Sequence, residues 1–395
     1  MTRSSVARWR LALAVLPLLL AHAGSRAFTT IVPTHDGQVL ETLSEPTVRQ
    51  RPPAAAGAAA VATPGLLRQV RAEIAQARQS GDTRHWGRAQ ALLAPWWDHA
   101  SAPVDVAVLQ ATVQQGRHAF DAARALLGNV VARAPGHAQA WLDLAALERL
   151  RADYPAALHA CAAVGRAGTE PYATACRLET RSLQGQHDEA TAGLKALARE
   201  SRVPAQRSWL LSLHAEALER AGQDAQALAA YRASLMAAPD LYTAVALSDL
   251  LLRTGDAAQA LAVLAPLPST DAVVLRRASA LRRLGDARWL ELRATLQSRA
   301  AELVRRGDDP DLHGREAALI AVWLDDDAPR ALQLARRNLR LQREPVDWWV
   351  ALYSAARADD EAAWNELQLR RKGTGLHDRR LDRSPSQLRA SGGGS

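Results

Sequence analysis

Few of the residues that build common catalytic and metal sites occur in this sequence. It contains two cysteines among 395 residues, Cys161 and Cys176, and no C-x-x-C motif. Their spacing excludes thioredoxin-like redox chemistry and the commonest cysteine zinc sites. A phosphate-binding loop, a G-x-S-x-G hydrolase elbow and an H-E-x-x-H helix are absent as well. The sequence therefore predicts no enzymatic activity, no cofactor and no metal site.

Aromatic residues make up only 5% of the chain, and the runs of Val, Ile and Thr that mark β-strands are missing. Alanine, leucine and arginine dominate instead, and all three favour helices. From residue 66 onward, apolar residues recur at intervals of three and four. That period is typical of amphipathic helices, so we expect an all-α fold.

The formal charge of +8 is concentrated at the two ends of the chain. Arg3, Arg8 and Arg10 contribute three positive charges, residues 370–395 contribute a net five, and the stretch between them is balanced. A nucleic-acid-binding protein normally spreads basic residues over its folded body, so nucleic acid is not expected as a partner. We interpret residues 372–395 as a basic flexible C-terminal tail.

The N-terminal residues have the pattern of a secretory signal peptide. Basic residues precede the apolar stretch Leu11–Ala21, and Ala21 and Ala23 form a small-x-small cleavage site. The stretch is shorter than the ~20 residues that span a membrane. We expect a signal peptide over 1–23 and an exported, periplasmic protein without a membrane span; the alternative is an uncleaved N-terminal membrane anchor. Residues 24–64, rich in proline, are predicted to be extended or disordered, and only residues 38–43 offer a short apolar pattern.

A glycine followed five residues later by an alanine recurs along the chain. The pairs are Gly185 and Ala190, Gly222 and Ala227, and Gly255 and Ala260. The glycine permits the left-handed turn that ends a first helix. The alanine lies where the second helix crosses the first, and a larger residue follows four positions later: Leu194, Tyr231 or Leu264. Gly222 and Gly255 are 33 residues apart, close to a repeat period of about 34.

This pattern resembles the tetratricopeptide repeat superfamily. Residues 204–239 match its second helix well, while Trp141 and Leu144 match the first helix of an earlier unit that departs from the family at Ala145 and Glu148. The resemblance implies a right-handed superhelical solenoid of about nine helix pairs over residues 65–371. The stretch from Arg306 to Pro345, with His313, Arg315, Glu316 and Asn338, is similar to exported bacterial repeat proteins and leaves the activity open.

The resemblance implies a non-catalytic scaffold or adaptor that binds a protein or peptide partner through its concave groove. Counting back from the alanine of each unit gives the positions that face this groove: Tyr172, Glu179, Trp209, Ser212, Glu216, Tyr242, Asp249, Arg253, Arg282, His313 and Glu316. Members of the superfamily that bind the terminal carboxylate of a peptide use lysine and asparagine at such positions. Glu179, Glu216 and Asp249 favour an extended segment with apolar and basic side chains instead, and the protein's own residues 24–64 are an alternative occupant.

Two other functional classes stay open. A pocket that gathers His313, Glu316 and Arg336 would indicate a small-ligand-binding or enzymatic protein with its site in the irregular C-terminal repeats. An open groove without such a pocket would favour the adaptor. The third class is an assembly factor that acts by oligomerising, and the sequence leaves the oligomeric state open.

Cys161 and Cys176 are predicted to form a disulfide. Cys161 aligns with the bulky position of a second helix, and Cys176 lies in the first helix of the next pair. Export would place them where thiols are oxidised. The alternative is two small apolar residues buried separately.

Two pairs of adjacent tryptophans, at 96–97 and 348–349, stand out among the few aromatic residues. Neighbours on a helix cannot both face the core. One member of each pair should therefore be at least partly exposed.

Overall fold

The computed structural model describes residues 62–392, except residues 98, 100, 306 and 308. Regular secondary structure in this part of the chain is entirely helical, with nineteen α-helices and no strand, which confirms the all-α prediction. The predictions for the signal peptide, the cleavage site and nearly all of the segment 24–64 lie outside the described residues.

The first eighteen helices form nine consecutive pairs, the number predicted. They are α1 (Pro64–Ser80), α2 (Arg84–Leu93), α3 (Val104–Gly116), α4 (Phe120–Arg133), α5 (Ala138–Leu150), α6 (Tyr154–Arg166), α7 (Tyr172–Leu183), α8 (His187–Glu200), α9 (Pro204–Arg220), α10 (Asp224–Ala237), α11 (Leu241–Arg253), α12 (Ala257–Leu264), α13 (Asp271–Arg283), α14 (Trp289–Arg305), α15 (Gly314–Trp323), α16 (Ala328–Leu341), α17 (Pro345–Arg357) and α18 (Glu361–Gly373). A last helix, α19 (Pro385–Gly392), follows the pairs, and short 3₁₀ helices span Ala94–Trp96 and Pro310–His313.

Every pair turns at one residue in the left-handed region of backbone conformation. These residues are Gly81, His118, Ala152, Gly185, Gly222, Gly255, Gly285, Asp326 and Asp359. His118 and Ala152 have φ angles of 62° and 60°, which are unusual for residues with a Cβ. The sequence predicted these nine pairs, but a glycine marks the turn in only five of them, and the other four turn at His118, Ala152, Asp326 and Asp359.

In six of the nine pairs, the alanine predicted to lie where the two helices cross is found there. Five residues after the turn stands an alanine that is fully buried: Ala123, Ala157, Ala190, Ala227, Ala260 or Ala331. Four residues later the side chain is buried too: Leu127, Cys161, Leu194, Tyr231, Leu264 or Ala335. Since a protein interior is close-packed, a larger residue at the alanine would force the two helices apart, at a cost of about 1–3 kcal/mol.

Both predictions about cysteine and tryptophan fit the structure. Cys161 of α6 and Cys176 of α7 lie with their Cα atoms 5.5 Å apart, a separation that a disulfide requires. The pair is therefore disulfide-capable. Trp348 is buried and its neighbour Trp349 is partly exposed, and the pair at 96–97 divides in the same way.

The later part of the chain packs against the ends of earlier first helices. The backbone N–H of Arg343 donates to the carbonyl of Leu150 at 2.7 Å, and that of His377 donates to Leu183 at 2.8 Å. The N–H of Arg379 likewise donates to the carbonyl of the last residue of α9, Arg220, at 2.9 Å. Carbonyls at a helix C-terminus have no partner within their helix. Distal backbone groups therefore complete the ends of α5, α7 and α9.

The structure differs from the prediction of a flexible tail over 372–395. Within the described residues, α18 extends to Gly373, and Leu376, Leu381 and Leu388 are fully buried beyond it. The basic residues are engaged as well, since Arg371 pairs with Asp382 at 2.7 Å. The physical reason is that a charge count includes Asp378 and Asp382 but does not show that they pair with Arg380 and Arg371, and it takes no account of the leucines.

None of the helices described here is long and apolar enough to cross a membrane.

Candidate binding cavity

The first helices of the last five pairs line one cavity of about 340 Å³. Side chains from α9, α11, α13, α15 and α17 form its wall, joined by one residue of α10 and one of the C-terminal segment. Cavities of this size hold small ligands or the side chains of a partner. The charged and aromatic residues of the wall are Glu216, Glu219, Arg220, Tyr231, Tyr242, Asp249, Arg253, Arg276, Arg283, Arg315, Glu316, Trp323, Glu344, Trp349 and Arg380.

Five of the eleven side chains predicted to face the groove line this cavity. They are Glu216, Tyr242, Asp249, Arg253 and Glu316. They come from three helices, α9, α11 and α15, which are separated in the chain by the second helices of the intervening pairs. Repeat spacing in the sequence therefore predicted that these five side chains share one surface, and the structure places them around one cavity.

Four other predicted residues, two on α7 and two on α9, do not line the cavity. The ring of Tyr172 contacts that of Trp209, with centroids 5.5 Å apart. Glu179 pairs with Arg149 at 2.9 Å. The buried hydroxyl of Ser212 accepts a hydrogen bond from Thr243 at 3.2 Å.

The last two predicted residues lie elsewhere. Arg282 donates to the backbone carbonyl of Trp323 at 2.6 Å and pairs with Asp326. The ring of His313 lies 5.5 Å from that of His118, at the turn between α3 and α4. Arg336, considered with His313 and Glu316 for a ligand site, pairs with a residue of α18. These three residues therefore do not share a pocket.

Glu216 is the most perturbed acidic group of the cavity wall. The hydroxyl of Tyr242 donates to its Oε1 at 2.8 Å, and Arg220 lies 3.6 Å from its Oε2. Burial is the largest cause that raises the pKa of Glu216 to about 7; Arg220 opposes this, and Glu179 and Glu219 add to it. Near neutral pH, Glu216 therefore exists in both protonated and charged forms.

Tyr242 lies in an acidic environment. It is 63% exposed and is one of the residues that line the cavity. The charge of Glu216 is the largest cause that raises the pKa of its phenol well above the ordinary value, and the charge of Glu344 adds to it. This part of the wall is therefore the negative side of the cavity.

Glu219, one helical turn after Glu216, accepts hydrogen bonds from three side chains. The hydroxyl of Tyr231 donates to it at 2.7 Å, and the guanidinium groups of Arg253 and Arg380 pair with it at 2.9 Å and 3.0 Å. Arg253 also binds both carboxylate oxygens of Asp224, at 2.7 Å and 2.8 Å. A buried carboxylate is stable when partners compensate it in this way.

Arg315, Asn338, Glu344 and Asp347 form a hydrogen-bond network at the start of α17. Arg315 binds both oxygens of Asp347, at 2.7 Å and 2.9 Å, and pairs with Glu344 at 2.6 Å. Asn338 donates to the same Asp347 at 2.7 Å. Asp347 and Glu344 also form the capping box that begins α17. The network fixes α15, α16 and α17 relative to one another.

An apolar and aromatic surface completes the wall. Trp349 stacks on Tyr353 with centroids 4.8 Å apart and lies 6.2 Å from Trp323. Arg276 binds both oxygens of Asp249 at 2.8 Å, and its guanidinium lies 5.9 Å from the centroid of Trp323. The geometry suits a ligand that has an apolar body and a polar tip.

Two polar groups of the wall lack a partner among the described residues. Glu316 makes no hydrogen bond or ion pair within them. The Nη2 of Arg220 is buried and has no acceptor there, although its Nε donates to Ser182 at 3.0 Å. The Glu316 carboxylate is therefore an acceptor in the wall that a bound segment can use, whereas the Nη2 of Arg220 is buried within the protein. The described residues contain no group of three His, Cys, Asp or Glu side chains placed to hold a metal ion.

Sequence reasoning missed Glu219, Arg220, Arg276 and Arg315. Glu219 and Arg220 follow Glu216 by three and four positions on α9, so helical spacing alone could have placed them on the same face. Trp349 was indicated only as one of a tryptophan pair.

No family model matches the chain, and no curated protein matches it. Among solved structures, the TPR domain of P58(IPK) is similar, with 15% sequence identity over 83% of this chain and 95% of that chain, and a TM-score of 0.23. A TM-score this low adds nothing to the assignment. The nine helix pairs, their left-handed turns and their crossing alanines make the fold an all-α, tetratricopeptide-like repeat.

Proposed function

We propose that the protein is a non-catalytic scaffold that binds an extended segment of a protein partner in this cavity. The observation that carries the proposal is the convergence of Glu216, Tyr242, Asp249, Arg253 and Glu316 on one cavity lined by successive first helices. Repeat proteins use the surface built by equivalent helices of successive units to bind partners.

The chemistry of the wall supports binding over catalysis. The described residues that line the cavity include no serine, cysteine, histidine or lysine, which are the usual nucleophiles and proton-transfer groups. Arg253, Arg276 and Arg315 are each held by carboxylates. Charged groups fixed in this way shape a surface, and Glu216, whose pKa is raised to about 7, has no serine, cysteine, histidine or lysine beside it in the described wall to act with.

Selection from a random peptide display library tests the proposal, with purified residues 24–395 as bait. The variant Ala246→Trp fills the cavity, because Ala246 lies in its wall. Gln226→Trp places the same side chain on an exposed site of α10 and is the matched control. We expect enriched peptides to lose affinity by about tenfold or more in the first variant and to bind the control normally. Peptides that bind Ala246→Trp as tightly as the unmodified protein would place the site elsewhere. Circular dichroism checks that both variants fold.

Binding of a small ligand is the second candidate, favoured by the size of the cavity and the perturbed pKa of Glu216. A compound library that raises the melting temperature of the unmodified protein but not of Ala246→Trp, with no peptide selected, would establish this function in place of the first.

We also propose that the protein is exported to the periplasm, with the signal peptide removed after Ala23. The leader pattern of the first residues and the placement of Cys161 and Cys176 at disulfide distance support this, because disulfides persist in oxidising compartments.

A further inference from the structure

The C-terminal segment shows how α9 receives a basic side chain from a turn of the chain. Arg379 donates its backbone N–H to the carbonyl of Arg220. The next residue, Arg380, places its guanidinium 3.0 Å from Glu219. The chain itself thus provides an example of a basic side chain bound by a carboxylate of this helix.

Glu216 lies on the same face of α9 but has no comparable partner. Its side chain is 18% exposed, and the nearest cation, Arg220, is 3.6 Å away. Tyr242 supplies one hydrogen bond. Glu216 therefore lacks the close cationic partners that Glu219 has.

The surroundings of Glu216 and Tyr242 favour a positive ligand. Glu216, Glu344 and Glu179 all raise the pKa of the Tyr242 phenol through their charges. Glu344 lines the cavity with 43% of its side chain exposed. Glu344 and Glu179 are already paired with Arg315 at 2.6 Å and Arg149 at 2.9 Å, so Glu216 is the carboxylate of this group that a ligand cation can still pair with at close range.

The rest of the wall suits the other parts of such a ligand. Pro345, Val346 and Trp349 offer an apolar surface along which the methylene stem of a lysine or arginine can lie.

We propose that Glu216 and Tyr242 form a subsite for the lysine or arginine side chain of a bound extended segment. The cationic head lies against the Glu216 carboxylate, and the stem lies along Trp349 and Val346. This inference rests on the proposed function and adds the chemistry that the partner must carry.

Capped amino acids test the subsite directly, with binding followed by tryptophan fluorescence and ligand-observed NMR. N-acetyl-lysine methylamide should bind about fivefold more tightly than its norleucine analogue, the ratio expected for a charge held by one partly buried carboxylate. In Glu216→Gln this preference should disappear. Glu366→Gln, which removes an exposed carboxylate of α18 outside the cavity, should keep it.

Several outcomes would overturn the subsite. These are equal affinity for lysine and norleucine, tighter binding of the glutamate analogue, no detectable binding of any probe, or a lysine preference that survives in Glu216→Gln. Free lysine that binds about tenfold more tightly than the capped form would indicate a site for a small amine and reject a side chain of a longer segment.

The two proposals fail in different ways. Selected peptides that depend on the cavity but carry no lysine or arginine would leave the scaffold function intact and reject the subsite. If capped lysine binds through Glu216 while no peptide is selected, the subsite is supported and the scaffold function is rejected.

Discussion

Replacing Glu216 with glutamine should stabilise the protein at mildly alkaline pH and have little effect at acidic pH. The pKa of Glu216 rises from 4.5 to about 7 on folding, chiefly through burial. The folded state therefore holds this proton more tightly than the unfolded chain does. Stability falls as the pH rises from about 4.5 toward 7, because the folded state binds more protons than the unfolded state over that window.

The magnitude follows from the size of the shift. Each unit of pKa corresponds to about 1.36 kcal/mol, so the full shift costs at most about 3 kcal/mol once Glu216 is charged. Because its side chain is 18% exposed, solvent screening reduces this to about 2 kcal/mol. Glutamine cannot ionise, and its carbonyl still accepts the hydrogen bond from Tyr242.

Urea unfolding at about pH 8 and about pH 5 measures the effect. We expect Glu216→Gln to raise the free energy of unfolding by about 2 kcal/mol at the higher pH and by less than about 1 kcal/mol at the lower. Glu366→Gln is the control, since Glu366 is exposed and pairs with Arg336 and Arg370.

A different result would refute the assignment of Glu216. Five groups face it: Arg220 and Glu219 from its own helix, Glu179 from α7, Tyr231 from α10 and Tyr242 from α11. If the variant is less stable than the unmodified protein at about pH 8, Arg220 holds Glu216 charged and the burial argument fails. An equal change at both pH values would mean that packing, and not ionisation, sets the effect.

Three further predictions concern the rest of the chain. Mass spectrometry of the exported protein should find Gly24 at its N-terminus, and an intact leader would contradict cleavage after Ala23. Reducing the Cys161–Cys176 pair, separated by 15 residues, should lower the free energy of unfolding by about 3 kcal/mol; two free thiols in the unreduced, denatured protein would show that the disulfide does not form. Leu381→Ala should cost about 2–5 kcal/mol, because this side chain is fully buried, whereas a loss below about 0.5 kcal/mol would mean that the tail does not pack in solution.

The parts of the fold that depend on residue type were predictable. Gly185, Gly222 and Gly255 mark turns because their sequence signal and their conformation share one cause, the missing Cβ. His118 and Ala152 adopt similar φ angles, and nothing in their side chains indicates it. The surrounding hairpin imposes the conformation there, so the sequence shows it only through the period of the neighbouring units.

The candidate site was predictable in outline and not in detail. Repeat spacing places Glu216, Tyr242 and Asp249 on first helices, and the structure gathers them in one cavity. The arginines that hold the acidic groups come from other units, such as Arg276 for Asp249. Sequence spacing within one unit carries no information about such pairs.

Contacts made by the backbone itself were beyond sequence reasoning altogether. The N–H groups of Arg343 and His377 donate to helix ends far back in the chain, and any residue except proline has such a group. The side chains that fix these segments in place, Leu376 and Leu381, look like ordinary leucines in a stretch dominated by arginine.

Those distal contacts change how cooperative the protein should be. The stability of a repeat array is approximately a sum of terms for each unit and its nearest neighbours, so its terminal units can open separately. Here Arg380 reaches Glu219 across 161 residues, and Arg343 reaches Arg151 across 192. Opening the C-terminal units therefore removes contacts from α9 and from the end of α5. The units from α5 onward should therefore unfold more cooperatively than nearest-neighbour contacts alone would allow, because distal residues complete helix ends formed much earlier in the chain.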